Sequence, residues 1–156
     1  MKTVEISAQR HIENSLVIWH AQLEDVDIVI EPRPPFGVKL RPESVKNLYV
    51  FNVLGITKID DHLKMVKGWF DMIEPGGVLY IIENDFEYIN RALVAGDLPV
   101  PEFNRSFSQQ THVTKDMCIE LLIKAGWKEG HQRLWNNESV KFAVPPYQFI
   151  LSADKK

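Results

Sequence analysis

Residues 59–82 join two apolar patterns of different period through a Pro-Gly-Gly sequence. Before this junction, apolar residues recur every three or four positions, the spacing of a helix with one buried face: Ile59, Leu63, Val66, Phe70 and Ile73. Either Thr57 or Asp60 can cap this helix. Pro75 discourages its continuation, and the two glycines accept backbone angles that other residues reach only with strain. The apolar run Val78–Ile82 then predicts a buried strand, so the junction is a turn from a surface helix into the sheet.

Four apolar runs in the first part of the chain have the same character as this strand. They are rich in valine and isoleucine and nearly uninterrupted, which predicts strands buried on both faces, as a parallel sheet requires. These runs are Val4–Ile6, Leu16–Trp19, Val26–Ile30 and Leu48–Leu54. The segment 31–44 contains four prolines, each of which removes a backbone donor and restricts the residue before it. It is therefore predicted to be an irregular loop within the domain.

Two further helices have clear start and stop signals. Asp85 is placed to cap a helix that ends at Gly96, and Thr114 is placed to cap one that ends at Gly126. Short polar side chains accept the free N–H groups of a first turn, and glycine takes the left-handed angles that commonly end a helix. The segment 97–111 between these helices is polar and contains proline, so it is predicted to be an excursion from the sheet.

The last part of the chain predicts a closing hairpin. Two strands, near Val140–Val144 and Gln148–Leu151, are separated by Pro145-Pro146. Strand and helix patterns that alternate and then end in a hairpin predict a three-layer α/β fold, with a mainly parallel sheet and an antiparallel C-terminal strand. At 156 residues, the chain is expected to form one domain over residues 1–156 around a single core.

Composition and charge exclude several classes of protein. The chain has 18 basic and 21 acidic residues, a net charge of -3, which argues against the basic footprint of a nucleic-acid binder. It has no apolar stretch of signal-peptide length at its start and none approaching the ~20 residues of a membrane span. The single Cys118 excludes an internal disulfide and suits a reducing compartment. We therefore expect a cytoplasmic protein with no membrane partner, and the scattered histidines predict no metal site.

Four stretches of the sequence, taken in order, carry a family resemblance: "ESVKNLYVFNVLGI", "HLKMVKGWFDMIEPGGVLYI", "ENDFEYI" and "TKDMCIELLIKAGWKE". The first resembles a strand that ends in a His-Val-Leu-Glu-His type sequence, and the second resembles a helix, Pro-Gly-Gly turn and fifth strand. The third is similar to a Pro-Asp-Phe segment, and the fourth to a late helix ending in Ala-Gly-Phe. This order resembles the class I S-adenosylmethionine (SAM)-dependent methyltransferases, most closely short forms related to methyltransferase type 11, which often occur in polysaccharide gene clusters and phage genomes. The resemblance implies a Rossmann-like methyltransferase fold.

The same resemblance implies a SAM cofactor over the carboxyl ends of the first strands. Family members bind it with a Gly-x-Gly loop after the first strand, where a side chain would collide with the amino-acid part of the cofactor. Ser7, Ala8 and Gln9 occupy the corresponding positions in this chain. Because Ser and Ala are small, one interpretation is a modified cofactor loop. The other is a loop that no longer binds anything.

Three more positions are candidates for cofactor contacts by the same resemblance. His20 stands where family members have an acidic residue that accepts both ribose hydroxyls, whereas a neutral histidine ring offers one acceptor nitrogen. Glu31 matches an acidic position near the adenine or the substrate. Asn52 replaces a histidine, and Gly55-Ile56 replace a Glu-His pair. This chain therefore differs from the family at several expected functional positions. Its turns, helix caps and apolar positions, by contrast, match those of the family.

Glu83, Asn84 and Asp85 are the candidate substrate-binding residues. They follow a buried strand at its carboxyl end, which is where open α/β sheets place ligands. The alternative is that Asp85 acts only as a helix cap and that Glu83 is solvated. No residue stands out as catalytic.

Two functions are consistent with this sequence. The first is a SAM-dependent methyltransferase with a small-molecule or sugar acceptor, in which catalysis comes mainly from positioning the methyl group. The second is a non-catalytic binding or assembly module on the methyltransferase fold, with a protein partner or a homo-oligomer. Titration with SAM separates the two.

Overall fold

The computed structural model of this chain describes residues 3–21, 23–29, 40–107 and 109–156. Over these residues the chain forms seven strands, four α-helices and one 3-10 turn at Asn137–Ser139. The strands are β1 Thr3–Ile6, β2 Leu16–Trp19, β3 Ile28–Val29, β4 Val45–Phe51, β5 Ile73–Asn84, β6 Gln132–Trp135 and β7 Gln148–Asp154. The helices are α1 Ile59–Met72, α2 Phe86–Ala95, α3 Val100–Ser106 and α4 Lys115–Ala125.

All seven of these strands belong to one sheet with the order β3-β2-β1-β4-β5-β7-β6. β1 to β5 pair in parallel, whereas β7 runs antiparallel to both β5 and β6. The predicted fold class, a mainly parallel sheet with an antiparallel C-terminal strand, is therefore confirmed.

The order of the strands reverses direction between β1 and β4. From β1 the chain adds β2 and β3 on one side, and from β4 it adds β5 on the other. In open α/β sheets, ligands bind outside the carboxyl ends of the strands at this topological switch point. The residues that follow β1 and β4 therefore decide what such a crevice can hold.

The two faces of the sheet are covered in different ways. On one face α1 and α4 bury the main apolar core, whose fully buried side chains include Leu48, Leu79 and Leu151. On the other face a smaller cluster of Phe51, Ile82 and Ile150 is buried. Residues of the β6–β7 connection pack against it: Val140, Phe142 and Val144. Among the described residues, irregular segments rather than helices form this third layer.

The predicted strand near Val140–Val144 is therefore wrong. The strand that pairs with β7 is β6, which lies before the 3-10 turn. The alternating apolar residues of Val140–Val144 pack on the face of the sheet that carries Phe51, Ile82 and Ile150. Their period of two comes from this packing, because the segment does not pair with an edge strand among the described residues.

The Pro-Gly-Gly sequence lies inside β5, because this strand begins at Ile73 directly after α1. Val45 pairs with Ile73, and Asn47 pairs with Val78. The extra residues on β5 therefore form a bulge. Gly76 has a φ of 83°, and a Cβ atom on Gly77 would lie 2.7 Å from the carbonyl oxygen of Lys46. The glycines permit this close approach of the two strands.

The helix caps are confirmed at two of the three predicted positions. The Asp85 side chain accepts the N–H of Glu87, and Thr114 accepts the N–H of Met117. The first helix has Lys58 at its N-cap without a side-chain bond, so neither Thr57 nor Asp60 caps it. The Thr57 hydroxyl donates instead to the carbonyl of Val53, 2.9 Å away. The predicted ends at Gly96 and Gly126 are both observed.

The other differences concern the bounds of elements. β4 begins three residues before the predicted run Leu48–Leu54 and ends at Phe51. The polar excursion over 97–111 contains the short helix α3. Residues 30–39, which include most of the predicted proline-rich loop, lie outside the described residues.

Candidate functional site

The loop between β1 and β2 is organised by the carboxylate of Glu5. This side chain is fully buried in the middle of β1. It accepts the backbone N–H groups of His11 at 3.0 Å and Ile12 at 2.7 Å, and the hydroxyl of Ser15 at 2.6 Å. Burial alone raises the pKa of Glu5, but the hydrogen bonds from His11, Ser15 and Ile12 outweigh it and hold the pKa below its ordinary value. An ionised carboxylate therefore holds residues 11–15 against the sheet.

His11 lies at the switch point between β1 and β4. Its ring stacks on Phe51, the last residue of β4, with 3.8 Å between ring centroids and 10° between planes. His11 Nδ1 is 3.1 Å from Glu5 Oε2 and 3.2 Å from the hydroxyl of Ser7. A side chain of the protein itself therefore packs between the ends of the two strands that define the crevice.

The three residues predicted to form the cofactor loop follow β1 directly. Ser7 is buried, and its hydroxyl donates to the carbonyl of Gln9 at 2.8 Å. Ala8 and Gln9 are exposed, and Gln9 Nε2 lies 3.3 Å from His11 Nε2. The polar groups of Ser7 and Gln9 are thus used in holding the loop together.

A second set of carboxylates anchors the outer side of this loop. The backbone N–H of Arg10 donates to Asp25 at 3.0 Å, and its guanidinium pairs with Asp27, also at 3.0 Å. Asp27 accepts the backbone N–H of Val17 as well, and this bond, followed by Arg10, lowers the pKa of Asp27. The loop is therefore tied both to the buried Glu5 and to the connection between β2 and β3.

The predicted ribose and adenine positions are only partly described. His20 follows β2, the neighbour of β1, so it lies at the same edge of the sheet as Ser7. Its ring contacts Trp19, with 4.7 Å between ring centroids. Glu31 lies outside the described residues.

Asn52 and Asn84 are brought together by a residue that the sequence did not predict. Gln148 Nε2 donates to Asn52 Oδ1 at 2.9 Å and to Asn84 Oδ1 at 3.0 Å. We call these three side chains the amide cluster. Asn52 follows β4 with a φ of 55°, an angle that asparagine tolerates better than most residues. The sequence signal for Gln148 is weak, because its contact with Asn52 spans 96 positions.

The Glu83 side chain points into the protein. It is fully buried and accepts the backbone N–H groups of Leu54 and Gly55, each at 3.2 Å. Burial raises the pKa of Glu83 to about 8, against the opposing effect of hydrogen bonds from Gly55, Leu54 and Asn84. Glu83 therefore ties β5 to the connection that follows β4, and its predicted exposure in the alternative interpretation is wrong.

The Asp85 side chain makes two polar contacts, the α2 cap and an ion pair. Asp85 Oδ2 lies 3.3 Å from Lys115 Nζ at the start of α4. Of the three predicted substrate-binding residues, Glu83 is internal, Asn84 belongs to the amide cluster and Asp85 borders a cleft on the other side of β7.

These residues do not fit the cradle that SAM requires. A glycine loop leaves space and backbone N–H groups for the amino-acid part of the cofactor, whereas Ser7 turns back on Gln9 and His11 packs on Phe51. His20 cannot replace an acidic residue as a bidentate acceptor for two ribose hydroxyls.

Comparison with known proteins supports the fold. No protein-family model matches the sequence, and a search of curated proteins finds no match. Among solved structures, a SAM-dependent methyltransferase from Archaeoglobus fulgidus is 9% identical, with a TM-score of 0.66 over 99% of this chain and 86% of that chain. A possible histamine N-methyltransferase from Thermotoga maritima is 15% identical, with a TM-score of 0.57 over 84% of this chain and 74% of that chain.

A third similar structure is human N-acetylserotonin methyltransferase in complex with SAM. It is 12% identical, with a TM-score of 0.60 over 99% of this chain and 47% of that chain, so this chain spans less than half of the human protein. The chain therefore has the fold of the class I SAM-dependent methyltransferases, as the resemblance implied.

The described residues contain neither a membrane-spanning helix nor a cluster of metal ligands. None of the helices in the described ranges is long and apolar enough to cross a membrane. Over the same ranges, no group of three or more His, Cys, Asp or Glu side chains is placed to hold a metal ion.

Proposed function

We propose that this protein is a non-catalytic binding or assembly module built on the methyltransferase fold, and that it does not bind SAM. One observation carries the proposal: His11 is held on Phe51 at the switch point by the buried carboxylate of Glu5. A cofactor at the ends of β1 and β4 would have to displace this ring.

Displacement of the loop is costly because Glu5 would lose its donors. The carboxylate has no exposed surface and depends on His11, Ile12 and Ser15. Removing the partner of a buried charge typically costs about 3 to 5 kcal/mol. A ligand would have to supply that free energy in addition to its own binding, which reduces its affinity by a factor of 100 or more at about 1.4 kcal/mol per factor of ten.

The second candidate function is an active SAM-dependent methyltransferase with a small-molecule or sugar acceptor. The amide cluster favours it, because Asn52, Asn84 and Gln148 place polar groups at the carboxyl ends of β4 and β5. Methyl transfer requires alignment more than a nucleophile, so the absence of an obvious catalytic residue does not count against it.

Calorimetric titration with SAM and S-adenosylhomocysteine distinguishes the two functions. We expect no heat of binding and no thermal shift at millimolar ligand. A ligand present at 100 times its dissociation constant would raise the free energy of unfolding by about 2.7 kcal/mol, and such a shift would refute the proposal.

Two variants identify what prevents binding. Ala8→Gly restores part of the glycine loop, and His11→Ala removes the stacked ring. If the double variant gains SAM affinity while Ala8→Gly alone does not, the ring is the obstacle. A matched control is His112→Ala, because His112 also stacks on a phenylalanine, Phe86 at the start of α2, and not on Phe51.

The module would work in the reducing cytoplasm, in contact with a protein partner or a second copy of itself. Cys118 is buried, and burial raises the pKa of its thiol. Such a thiol is neither reactive nor available for a disulfide.

A further inference from the structure

A polar cleft lies on the side of β7 away from the switch point. Its volume is about 200 Å³, and α2, the start of α4 and the β6–β7 connection enclose it. The polar side chains that line it are Asp85, Tyr88, Arg91, Lys115, Asn137 and Gln148. It borders the amide cluster through Gln148 but shares no residue with the loop held by Glu5.

The cleft has an excess of positive charge. Lys115 pairs with Asp85 at 3.3 Å, so these two charges balance. The Arg91 Nε donates to the backbone carbonyl of Glu87 at 3.3 Å, and among the described residues no carboxylate lies within 4.0 Å of its guanidinium. An arginine fork of this kind suits a carboxylate or phosphate group.

Two amide side chains in the cleft are held in place by bonds to their nitrogen atoms. Asn137 Nδ2 donates to the carbonyls of Pro145 and Gln148, at 2.9 and 3.0 Å. Gln148 Nε2 donates to the two other members of the amide cluster. Both amide oxygens remain acceptors without a donor among the described residues, and they can accept hydrogen bonds from hydroxyl groups.

We infer that this cleft binds a small polyhydroxylated organic anion of about the size of one sugar ring. Arg91 and Lys115 hold the acid group, and Asn137 and Gln148 accept the hydroxyls. The inference rests on the proposed binding role and names the class of ligand for it. A carboxylate and a phosphate ester share this chemistry, and the test treats them as separate arms.

The test measures binding of glucuronate and of glucose 6-phosphate to the whole chain by calorimetry and by NMR shifts of the Trp135 indole, which also lines the cleft. Glucose is the neutral control, and inorganic phosphate is the control without hydroxyls. We expect at least one sugar acid to bind at millimolar concentration and both controls to bind about tenfold more weakly or not at all. Glucose lacks the negative charge that pairs with Arg91, and phosphate lacks the hydroxyls that donate to Asn137 and Gln148.

The variant Arg91→Gln should weaken binding of the sugar acid by about tenfold or more. Arg105→Gln is the matched control, because Arg105 pairs with Glu102 on the exposed face of α3, outside the cleft. A circular dichroism spectrum shows that each variant is folded.

The inference fails if neither sugar acid binds, if glucose binds as well as glucuronate, or if phosphate alone binds as tightly as the sugar phosphate. It also fails if Arg91→Gln and Arg105→Gln have the same affinity. SAM binding would refute the proposed function but would leave this result intact, because the two ligands are assigned to different residues.

Discussion

Glu5 Oε2 lies 3.1 Å from His11 Nδ1, and the same carboxylate accepts the backbone N–H of His11. The two residues are six positions apart, Glu5 in β1 and His11 in the loop that follows it. This pair determines both the path of the loop and the position of the ring on Phe51. The candidate site and the stability of the first strands therefore depend on one buried charge.

Glu5→Gln should lower the free energy of unfolding by about 2 to 4 kcal/mol at neutral pH, since an amide cannot accept from all the donors that a carboxylate satisfies. The folded pKa of Glu5 is lowered, so its contribution is present above the ordinary value of 4.5 and is lost as pH falls through the folded pKa. Urea unfolding at a series of pH values measures this difference.

Glu13→Gln is the control for that change, because Glu13 is exposed in the same loop. It should alter stability by less than about 0.5 kcal/mol. Equal stability of the two variants would mean that Glu5 does not hold the loop.

Glu83→Gln should change how stability depends on pH between about 4.5 and about 8. The folded pKa of Glu83 is raised to about 8 from an ordinary 4.5, so the folded protein holds a proton that the unfolded chain releases. Stability from this group is present below pH 4.5 and is lost as pH rises through about 8. The variant should lose this decline, whereas Glu87→Gln, at an exposed position of α2, should keep it.

Gly77→Ala and Gly68→Ala should have effects of opposite sign. A Cβ atom at Gly77 would lie 2.7 Å from both Ile73 Cγ2 and the carbonyl oxygen of Lys46, so the bulge must shift, at a cost of about 1 to 3 kcal/mol. Gly68 lies inside α1 with nothing within 4 Å of its Cβ position. Alanine there should stabilise the helix by about 0.5 to 1 kcal/mol. Thermal unfolding of both variants provides the measurement, and a stabilising Gly77→Ala would contradict the bulge.

Asn52→Ala should destabilise the protein more than Asn52→Gly. Both variants remove the bond from Gln148, but only alanine must also adopt the φ of 55°, which costs about 1 to 2 kcal/mol. The difference in free energy of unfolding between these variants measures the cost of holding an alanine at this backbone angle. Equal values would show that the backbone relaxes at this position.

Local signals in the sequence predicted the parts of the fold that depend on neighbouring residues. Asp85 and Thr114 cap their helices because a cap needs only a short side chain and the next turn. The apolar runs correctly predicted β1, β2, β4 and β5 as strands. The expectation that the run Val26–Ile30 is buried on both faces is wrong, because Ile28 and Val29 of β3 are exposed at the edge of the sheet. β6 was missed because Arg133 and Leu134 are exposed at the edge of the sheet, so its sequence lacks the apolar pattern of a buried strand.

The candidate site depended on contacts that no local pattern contains. The sequence identified Ser7 and Asn52 as positions of interest, but not the His11 ring that contacts Ser7 and Phe51. His11 contacts Phe51 because Glu5 turns the loop, and three residues from two strands and a loop must be combined to predict it. Gln148 was missed for the same reason, since only the sheet order brings it to Asn52 and Asn84.

The position of β7 between β5 and β6 has a consequence for synthesis of the protein on the ribosome. Residues 148–154 fill a central place in the sheet, so β5 has an open edge until they have left the exit tunnel. The earlier strands can assemble during translation, but the sheet closes only after nearly all of this sequence has been released. A nascent chain stalled before residue 148 would leave the backbone groups of β5 that pair with β7, from Val78 to Asn84, open to another strand or to a chaperone.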